Sequence, residues 1–534
     1  MSVSSGLPRL RAKSNFIAIK NLYKIGVIGA CLWPLAVSAA EPESGENWQR
    51  WMPQSYVRAA KDTNLAVPPS QRWWSEFDSP ELDELVSIAL AGNNQLNAAA
   101  ARVVQAEQRL RAANGGRLPT IDAIARAELR APEFGIGTAP TREDFKSRQI
   151  YQAGLRVAYE VDLWGRGALR KEAALQQLKA NKFAREALSQ TLISEVATSY
   201  FRVLALRERV GLAERNFETA QKIDQSLARR AERGDLSIID SEQQALTTAE
   251  TGAQLYQLRE QLSVAEGNLA FLTGRPLNML SITGSSLAEV RVPSVEPGLP
   301  SALMCRRPDI RRAEADLLTA RADLGAARKG LLPSITLTAE GGYGTSNLSR
   351  ALSPQSLFTD LVGQFVQSVF DGGQRKAAIG EQMARQKELL ENYRGTILAA
   401  LRDTEEALAG VQLTQSRWSL FETAAARSTK LVSMTQRVFD RGALDYTSLL
   451  ESQRTQFRTA DLAISARFDR LRASVDLYKA LGGGVGQKDD NCVVETLAAT
   501  GTPVIDQVPP QSAEKSPSPG QAKPPQGKKK PSRW

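Results

Sequence analysis

Four segments of the chain alternate apolar and polar residues, at about 119–131, 150–163, 333–344 and 357–370, the last less regularly than the others. In the second segment Leu155, Val157 and Tyr159 alternate with polar neighbours such as Arg156 and Glu160. A period of two predicts a β-strand with one apolar and one polar face. Strands of globular proteins average about 5–6 residues, so segments of this length in an exported chain favour a membrane barrel.

Most of the remaining chain has the three- and four-residue spacing of amphipathic helices. Two long segments, 166–233 and 374–441, lack proline, and shorter return segments follow at 237–273 and 447–481. At about 1.5 Å per residue each long segment would form a helix of about 100 Å. Apolar positions such as Leu188, Leu192 and Val196 fit coiled-coil packing. The pattern predicts two long helical hairpins.

The strands and hairpins occur twice because the chain contains two similar halves. The sequence LPTI at 118–121 recurs as LPSI at 332–335, and the Arg-Gly pair at 233–234 recurs at 441–442. A large unit that is repeated once indicates a duplicated, pseudo-symmetric structure. We place the first half-repeat at 41–300 and the second at 301–485.

Four strands are too few to close a barrel in a membrane. Membrane barrels begin at about eight strands, and an open sheet edge in lipid leaves backbone groups without hydrogen-bond partners. The chain is therefore expected to oligomerise, with each copy contributing four strands to a shared barrel. The long helices would then continue the same cylinder away from the membrane.

The two ends of the chain differ from this body. Basic residues up to Lys24 precede an apolar run at 25–37 and small residues at 38–40, which predicts a signal peptide at 1–40. An alternative is a lipobox at 28–31, with Cys31 as the acylated first residue of the mature chain. The Pro- and Lys-rich tail at 486–534 cannot bury a core and is predicted to be disordered.

Composition argues against an enzyme, a cofactor and a metal site. The chain has no histidine, and its three cysteines form no Cys-x-x-Cys pair. Cys305 and Cys492 could pair in an oxidising compartment. The formal net charge of +10 falls largely in the leader and the tail. The body is therefore nearly neutral, which disfavours nucleic acid as a partner.

Four motifs resemble those of the outer-membrane efflux factors of the TolC/OprM/NodT type. They are WWSEFDSPEL at 73–82, YEVDLWGR at 159–166, RRPDIRRAE at 306–314 and FDGG at 370–373. The resemblance covers almost the whole mature chain. It implies a mainly α-helical homotrimer in which a long α-helical barrel in the periplasm carries a 12-stranded barrel in outer-membrane lipid. It also implies a periplasmic adaptor and an inner-membrane pump of the RND type as partners.

The resemblance assigns roles to the two hairpin tips. It implies that the tips contact the adaptor and open by untwisting of the helices; the tip residues are Arg233, Gly234, Asp235, Leu236, Ser237, Arg441, Gly442, Ala443 and Leu444. Asp240 and Glu451 match acidic positions near the aperture of such channels. Leu444 stands where some relatives have an arginine whose salt bridge locks the gate. That salt bridge is therefore not carried over directly to this chain. The plainer interpretation of both acids is a solvated residue early in a helix, favoured by the helix dipole.

Three functions are compatible with these features. The first is the outer-membrane exit duct of a tripartite efflux pump, a passive trimeric channel. The second is the outer-membrane component of type I protein secretion. The third, of a different class, is a periplasmic coiled-coil scaffold, which would have no use for four long one-sided strands.

Overall fold

A computed structural model describes residues 53, 55–58, 72–130, 148–235, 237–295, 297–350, 352–441 and 443–483. All of them belong to the unit Pro53–Trp534. The predicted leader with Cys31 and the predicted tail with Cys492 lie outside the described residues. Cys305 is disulfide-bonded.

Eight α-helices account for most of the described chain: α1 Pro80–Gly92, α2 Asn94–Gly115, α3 Arg166–Glu232, α4 Ile238–Thr273, α5 Leu303–Arg306, α6 Pro308–Lys329, α7 Gln374–Asp440 and α8 Tyr446–Ala480. The two longest, α3 and α7, have 67 residues each. The bounds of α3, α4, α7 and α8 agree with the sequence prediction to within one residue. Local signals set two of these bounds, because Ser237 caps the start of α4 and Asp445 caps the start of α8 with their side chains.

The four strands form one antiparallel sheet. They are β1 Thr120–Arg130, β2 Arg148–Glu160, β3 Ser334–Thr345 and β4 Leu357–Val366. The sheet order is β1-β2-β3-β4, with each strand paired to the next along the chain. The prediction of a mainly helical chain with four long strands is confirmed.

Two strands end earlier than the alternation predicts. β4 ends at Val366 rather than at residue 370, because its partner strand β3 begins at Ser334, the residue paired with Val366. β2 ends at Glu160 rather than at residue 163. The Asp162 carboxylate instead accepts hydrogen bonds from the backbone N–H groups of Gly167 and Ala168 at 3.0 and 2.9 Å, which caps α3.

The strand register separates apolar from charged side chains. One cross-strand row contains Ile121, Val157, Ala339 and Leu361, and the next contains Asp122, Arg156, Glu340 and Asp360. Within the charged row Arg156 forms an ion pair with Glu340. Large side chains of the apolar face are exposed to solvent, among them Ile121, Leu155, Leu361 and Phe365. None of the described elements covers this face.

An aromatic core joins the N-terminal elements to the long helices. Trp73 stacks on Tyr478 with ring centroids 4.9 Å apart, and Phe77 lies 5.1 Å from Phe201. All four side chains are almost completely buried. The core thus holds the segment before α1 against the middle of α3 and the end of α8.

The helices are packed side by side in a fixed order. α3 packs against α2, α4, α6 and α8, whereas α7 packs against α6 and α8. α2 and α4 therefore form one lateral edge, and α7 forms the other. The sheet repeats this arrangement, with β1 at one edge and β4 at the other.

Candidate functional site at the helix hairpin tips

The first hairpin reverses over a few residues between α3 and α4. Gly234 has φ +79°, a left-handed conformation that glycine adopts without strain. The Asp235 backbone N–H donates to the Arg230 carbonyl at 2.9 Å, which closes the end of α3. Ser237 then caps α4, since its hydroxyl accepts from the Ile239 N–H at 3.2 Å. Leu236, also predicted at this tip, lies outside the described residues.

The second hairpin repeats this construction between α7 and α8. The Ala443 N–H donates to the Val438 carbonyl at 3.2 Å, and the Asp445 side chain accepts from the Ser448 N–H at 3.2 Å. The hydrogen bonds from the Ser448 side chain and backbone hold the pKa of Asp445 below its usual value. Asp445 is therefore the charged N-cap of α8. Gly442 lies outside the described residues.

The two hairpins are joined just behind their tips by a tyrosine and a glutamine. The Tyr446 hydroxyl, at the start of α8, donates to Gln244 Oε1 on α4 at 2.5 Å. Gln244 is 1% exposed, and its Nε2 donates to the Ala220 carbonyl of α3 at 3.0 Å. Burial raises the pKa of Tyr446 to about 12, so its hydroxyl remains a donor at neutral pH.

Two further contacts continue this connection along α8. Arg454 Nη2 donates to Thr247 Oγ1 of α4 at 2.7 Å. Farther from the tips, Arg209 of α3 makes a two-pronged pair with Asp461 of α8, at 2.6 Å from Nε to Oδ1 and 3.1 Å from Nη2 to Oδ2. We name the contacts Tyr446–Gln244, Arg454–Thr247 and Arg209–Asp461 the hairpin bridges. Together they resist separation of the two hairpins.

The three aperture residues predicted from the sequence lie close to these bridges. Asp240 is in the first turn of α4 and half-buried, Leu444 is half-buried at the second tip, and Glu451 is exposed on α8. Among the described residues, neither Asp240 nor Glu451 forms an ion pair or side-chain hydrogen bond to the other hairpin. Their role at the aperture stays a prediction.

Sequence reasoning missed the residues that form the hairpin bridges. A glutamine inside a helical apolar stripe, as at Gln244, is a signal for a buried polar contact. Nothing in the sequence near Gln244 points to Tyr446, which is 202 positions away. The pairing becomes visible only when both hairpins are placed side by side.

The beginning of α4 also presents apolar side chains to solvent. Ile238 and Ile239 are 70% and 72% exposed, and Leu246 is exposed two turns later. No described residue covers them. Exposed large aliphatic side chains beside a hairpin tip are typical of a surface that contacts another polypeptide.

The described part of the chain offers no metal-binding cluster of three or more His, Cys, Asp or Glu residues. Its helices also include none that is both long and apolar enough to cross a membrane.

Comparison with known proteins agrees with this arrangement. A family model described as "Outer membrane efflux protein" matches residues 85–275 and 299–483. The chain is 35% identical over 473 residues to the pyoverdine export outer membrane protein OpmQ of Pseudomonas aeruginosa, covering 88% of this chain and 97% of that protein. It is 30% identical to the toluene efflux pump outer membrane protein TtgI of Pseudomonas putida, over 78% of this chain and 88% of that one.

Solved structures show the same fold. The outer-membrane channel OprN superposes with a TM-score of 0.75 at 25% identity. The match covers 81% of this chain and 97% of OprN.

Proposed function

Because the chain belongs to the outer membrane efflux protein family, we propose that it is the exit duct of a tripartite efflux pump. The family consists of channel proteins of the cell outer membrane rather than enzymes. In this proposal the chain is a passive trimeric channel that carries substrates from an inner-membrane transporter and a periplasmic adaptor to the outside. The observation that carries the proposal is the sheet, with its exposed apolar face and two unpaired edges.

The unpaired edges support a barrel shared among copies. β1 and β4 each have a hydrogen-bonded neighbour on one side only. In lipid each unsatisfied backbone group would cost several kcal/mol, so both edges need partners. Pairing of β1 in one copy with β4 in the next closes a ring, and three copies supply the twelve strands of the proposed barrel.

The helices support the same closure at the level of the periplasm. α4 exposes Tyr256, Val264 and Phe271, and α7, at the opposite lateral edge, exposes Leu413 and Leu420. A head-to-tail contact between these edges would bury apolar surface and, once closed, form a ring. Each copy would thus contribute a sector to an α-helical barrel below the β-barrel.

The hairpin tips are the proposed periplasmic aperture. Opening requires that the hairpins move apart, and the hairpin bridges are the bonds that such a movement would break. Asp240, Leu444 and Glu451 line the aperture in this proposal. The exposed Ile238 and Ile239, together with the tip residues, are the surface proposed for the adaptor.

The relatives support small-molecule efflux over type I protein secretion. The two relatives described above are named for pyoverdine export and toluene efflux. The transported compound itself would be chosen by the inner-membrane pump, for which the RND type is the proposed class. A periplasmic scaffold remains the proposal of a different class, and the exposed apolar sheet face argues against it.

One preparation tests the duct. The mature chain is purified from outer membranes in detergent, its mass is measured by light scattering, and its conductance is recorded in planar bilayers. We expect a trimer with a small, mostly closed conductance that rises in Leu444→Ala. Glu451→Gln and Asp240→Asn should also change the cation selectivity, whereas Glu250→Gln, an exposed acid in α4, should change neither property. A water-soluble monomer or dimer without conductance would contradict the duct proposal and favour the periplasmic scaffold.

A further inference from the structure

The four places where a strand meets a long helix share a composition that the duct alone does not require. We define the junction collar as residues 117–118, 162–171, 328–333 and 367–376. These segments join α2 to β1, β2 to α3, α6 to β3, and β4 to α7. They are far apart in the sequence but adjacent in the structure.

Direct contacts hold the four junctions at one level. Trp164 Nε1 donates to the Pro333 carbonyl at 2.7 Å, which ties the second junction to the third. Arg375 Nη1 donates to the Gly330 carbonyl at 3.2 Å, which ties the fourth to the third. Arg117 Nε lies 3.9 Å from Asp162 Oδ2, between the first junction and the second. The collar is therefore one continuous band across the width of the chain.

Each junction presents large apolar side chains to solvent. They are Leu118, Leu163, Trp164, Leu331, Val369 and Phe370. The last two are 97% and 89% exposed. This band continues the apolar face of the sheet and adds an indole whose N–H is already bonded. Tryptophan held in this way is enriched where a membrane meets water.

Unpaired cations follow directly on the helical side of the band. They are Arg166, Arg170, Lys171, Arg328, Lys329 and Lys376, and none of them forms an ion pair with another described residue. The two acids within the collar are already engaged: Asp162 caps α3, and Asp371 pairs with Arg375 at 3.3 Å and accepts from the Gly373 N–H. The collar therefore carries positive charge without internal compensation.

We propose that the junction collar binds the anionic phospholipids of the membrane leaflet that faces the long helices. The apolar band lies at the edge of the acyl chains, and the cations reach the headgroup phosphates. In α3 the cations lie within about 8 Å of the start of the helix, at about 1.5 Å per residue, which matches a headgroup layer of about 5–8 Å. The inference rests on the proposed function, since it requires that the sheet lie in the membrane.

A charge-matched pair of variants tests the collar. The collar variant combines Arg170→Gln, Arg328→Gln, Lys329→Gln and Lys376→Gln. The control combines Lys182→Gln, Arg229→Gln, Arg427→Gln and Lys430→Gln, which removes the same charge from α3 and α7 away from the collar. Each full-length protein is reconstituted in vesicles of equal phosphatidylglycerol and phosphatidylethanolamine and extracted in mild detergent. The two retained lipids are then quantified at low and high salt.

We expect the unaltered protein to retain phosphatidylglycerol preferentially at low salt and to lose this preference at high salt. The preference of the collar variant should be at least about tenfold weaker, because each basic residue near an anionic surface adds to the attraction and four are removed. The control should keep it. An equal loss in both variants, or an unaltered protein without preference at either salt concentration, overturns the proposal.

The same preparation separates this proposal from the duct itself. Conductance and trimer mass are measured on the reconstituted protein before lipid analysis. A protein that neither inserts nor conducts contradicts the proposed function, whereas a conducting trimer without phosphatidylglycerol preference contradicts the collar alone. If the collar variant does not insert into the vesicles, the salt dependence of phosphatidylglycerol retention by the unaltered protein tests the proposal instead.

Discussion

The hydroxyl of Tyr446 donates a 2.5 Å hydrogen bond to Oε1 of Gln244 and joins the first turn of α8 to the buried side of α4. Gln244 Nε2 is bonded in turn to the Ala220 carbonyl of α3. One side chain of the second hairpin is thus connected to both helices of the first. Any movement that separates the hairpins must leave the buried Oε1 without this donor, which makes the contact a natural restraint on opening.

Removal of this hydroxyl is expected to open the duct. Tyr446→Phe keeps the ring but leaves Gln244 Oε1 without its donor, at a cost of about 1 kcal/mol. Only the closed arrangement contains this bond, so its removal destabilises the closed arrangement relative to the open one. The mean conductance of the variant in planar bilayers should therefore rise several-fold. Tyr256→Phe, an exposed tyrosine of α4, is the control and should conduct like the unaltered protein. Equal conductance in all three proteins would show that the Tyr446 hydroxyl does not restrain opening.

The two-pronged pair between Arg209 and Asp461 should contribute measurably to stability. Both side chains are largely shielded, and Asp461→Asn leaves the guanidinium without its carboxylate. We expect a loss of about 1.5–3 kcal/mol in the free energy of unfolding, typical of hydrogen bonds to charged groups.

The exposed pair between Arg259 and Glu214, at 2.8 Å, provides the comparison. Glu214→Gln should cost less than about 1 kcal/mol, because water screens exposed ion pairs. Thermal melting of both variants in detergent measures the difference. Equal melting temperatures would show that the Arg209–Asp461 bridge is no stronger than a surface pair.

Two glycines with similar backbone conformations should respond differently to alanine. Gly274, after α4, has φ +69°, and a Cβ there would clash with the Gly92 carbonyl oxygen. Gly234, at the first tip, has φ +79° and nothing within 4 Å of such a Cβ. Gly234→Ala should cost about 1–2 kcal/mol from the left-handed conformation alone. Gly274→Ala should cost distinctly more, as measured by the melting temperature, and a smaller loss than in Gly234→Ala would contradict the close approach.

Acid should weaken the attachment of α1 through Glu81. Desolvation acts to raise the pKa of this carboxylate, but hydrogen bonds from Thr283, Tyr200 and Gly284 outweigh it, and the net pKa lies below its usual 4.5. A lowered pKa in the folded state means that stability is present above 4.5 and is lost as the pH falls through the folded value.

The melting temperature of the unaltered protein should therefore fall more steeply below pH 4.5 than that of Glu81→Gln, which has no charge to lose. Glu84→Gln removes an exposed carboxylate from the same helix and serves as the matched control. It should follow the unaltered protein. If the melting temperatures of Glu81→Gln and the unaltered protein fall in parallel with pH, the Glu81 carboxylate does not contribute to the acid sensitivity of the fold.

The sequence alone determined which segments are strands and helices and where the long helices end. Those properties depend on local periodicity and on capping residues such as Ser237 and Asp445, which act within a few positions of themselves. The four long strands and both helical hairpins are visible in this way. So is the approximate position of Asp240, Leu444 and Glu451 beside the tips, with their roles at the aperture still predictions.

Only the tertiary structure decided which strands, helices and side chains contact one another. β4 stops at Val366 because its partner strand β3, from another part of the chain, begins at Ser334, the residue paired with Val366. Gln244 meets Tyr446, and Trp164 meets Pro333, across separations of 202 and 169 residues. Periodicity specifies which face of an element is buried, but contact between two elements depends on their register and packing. No local pattern encodes that register, so the hairpin bridges and the junction collar appear only in three dimensions.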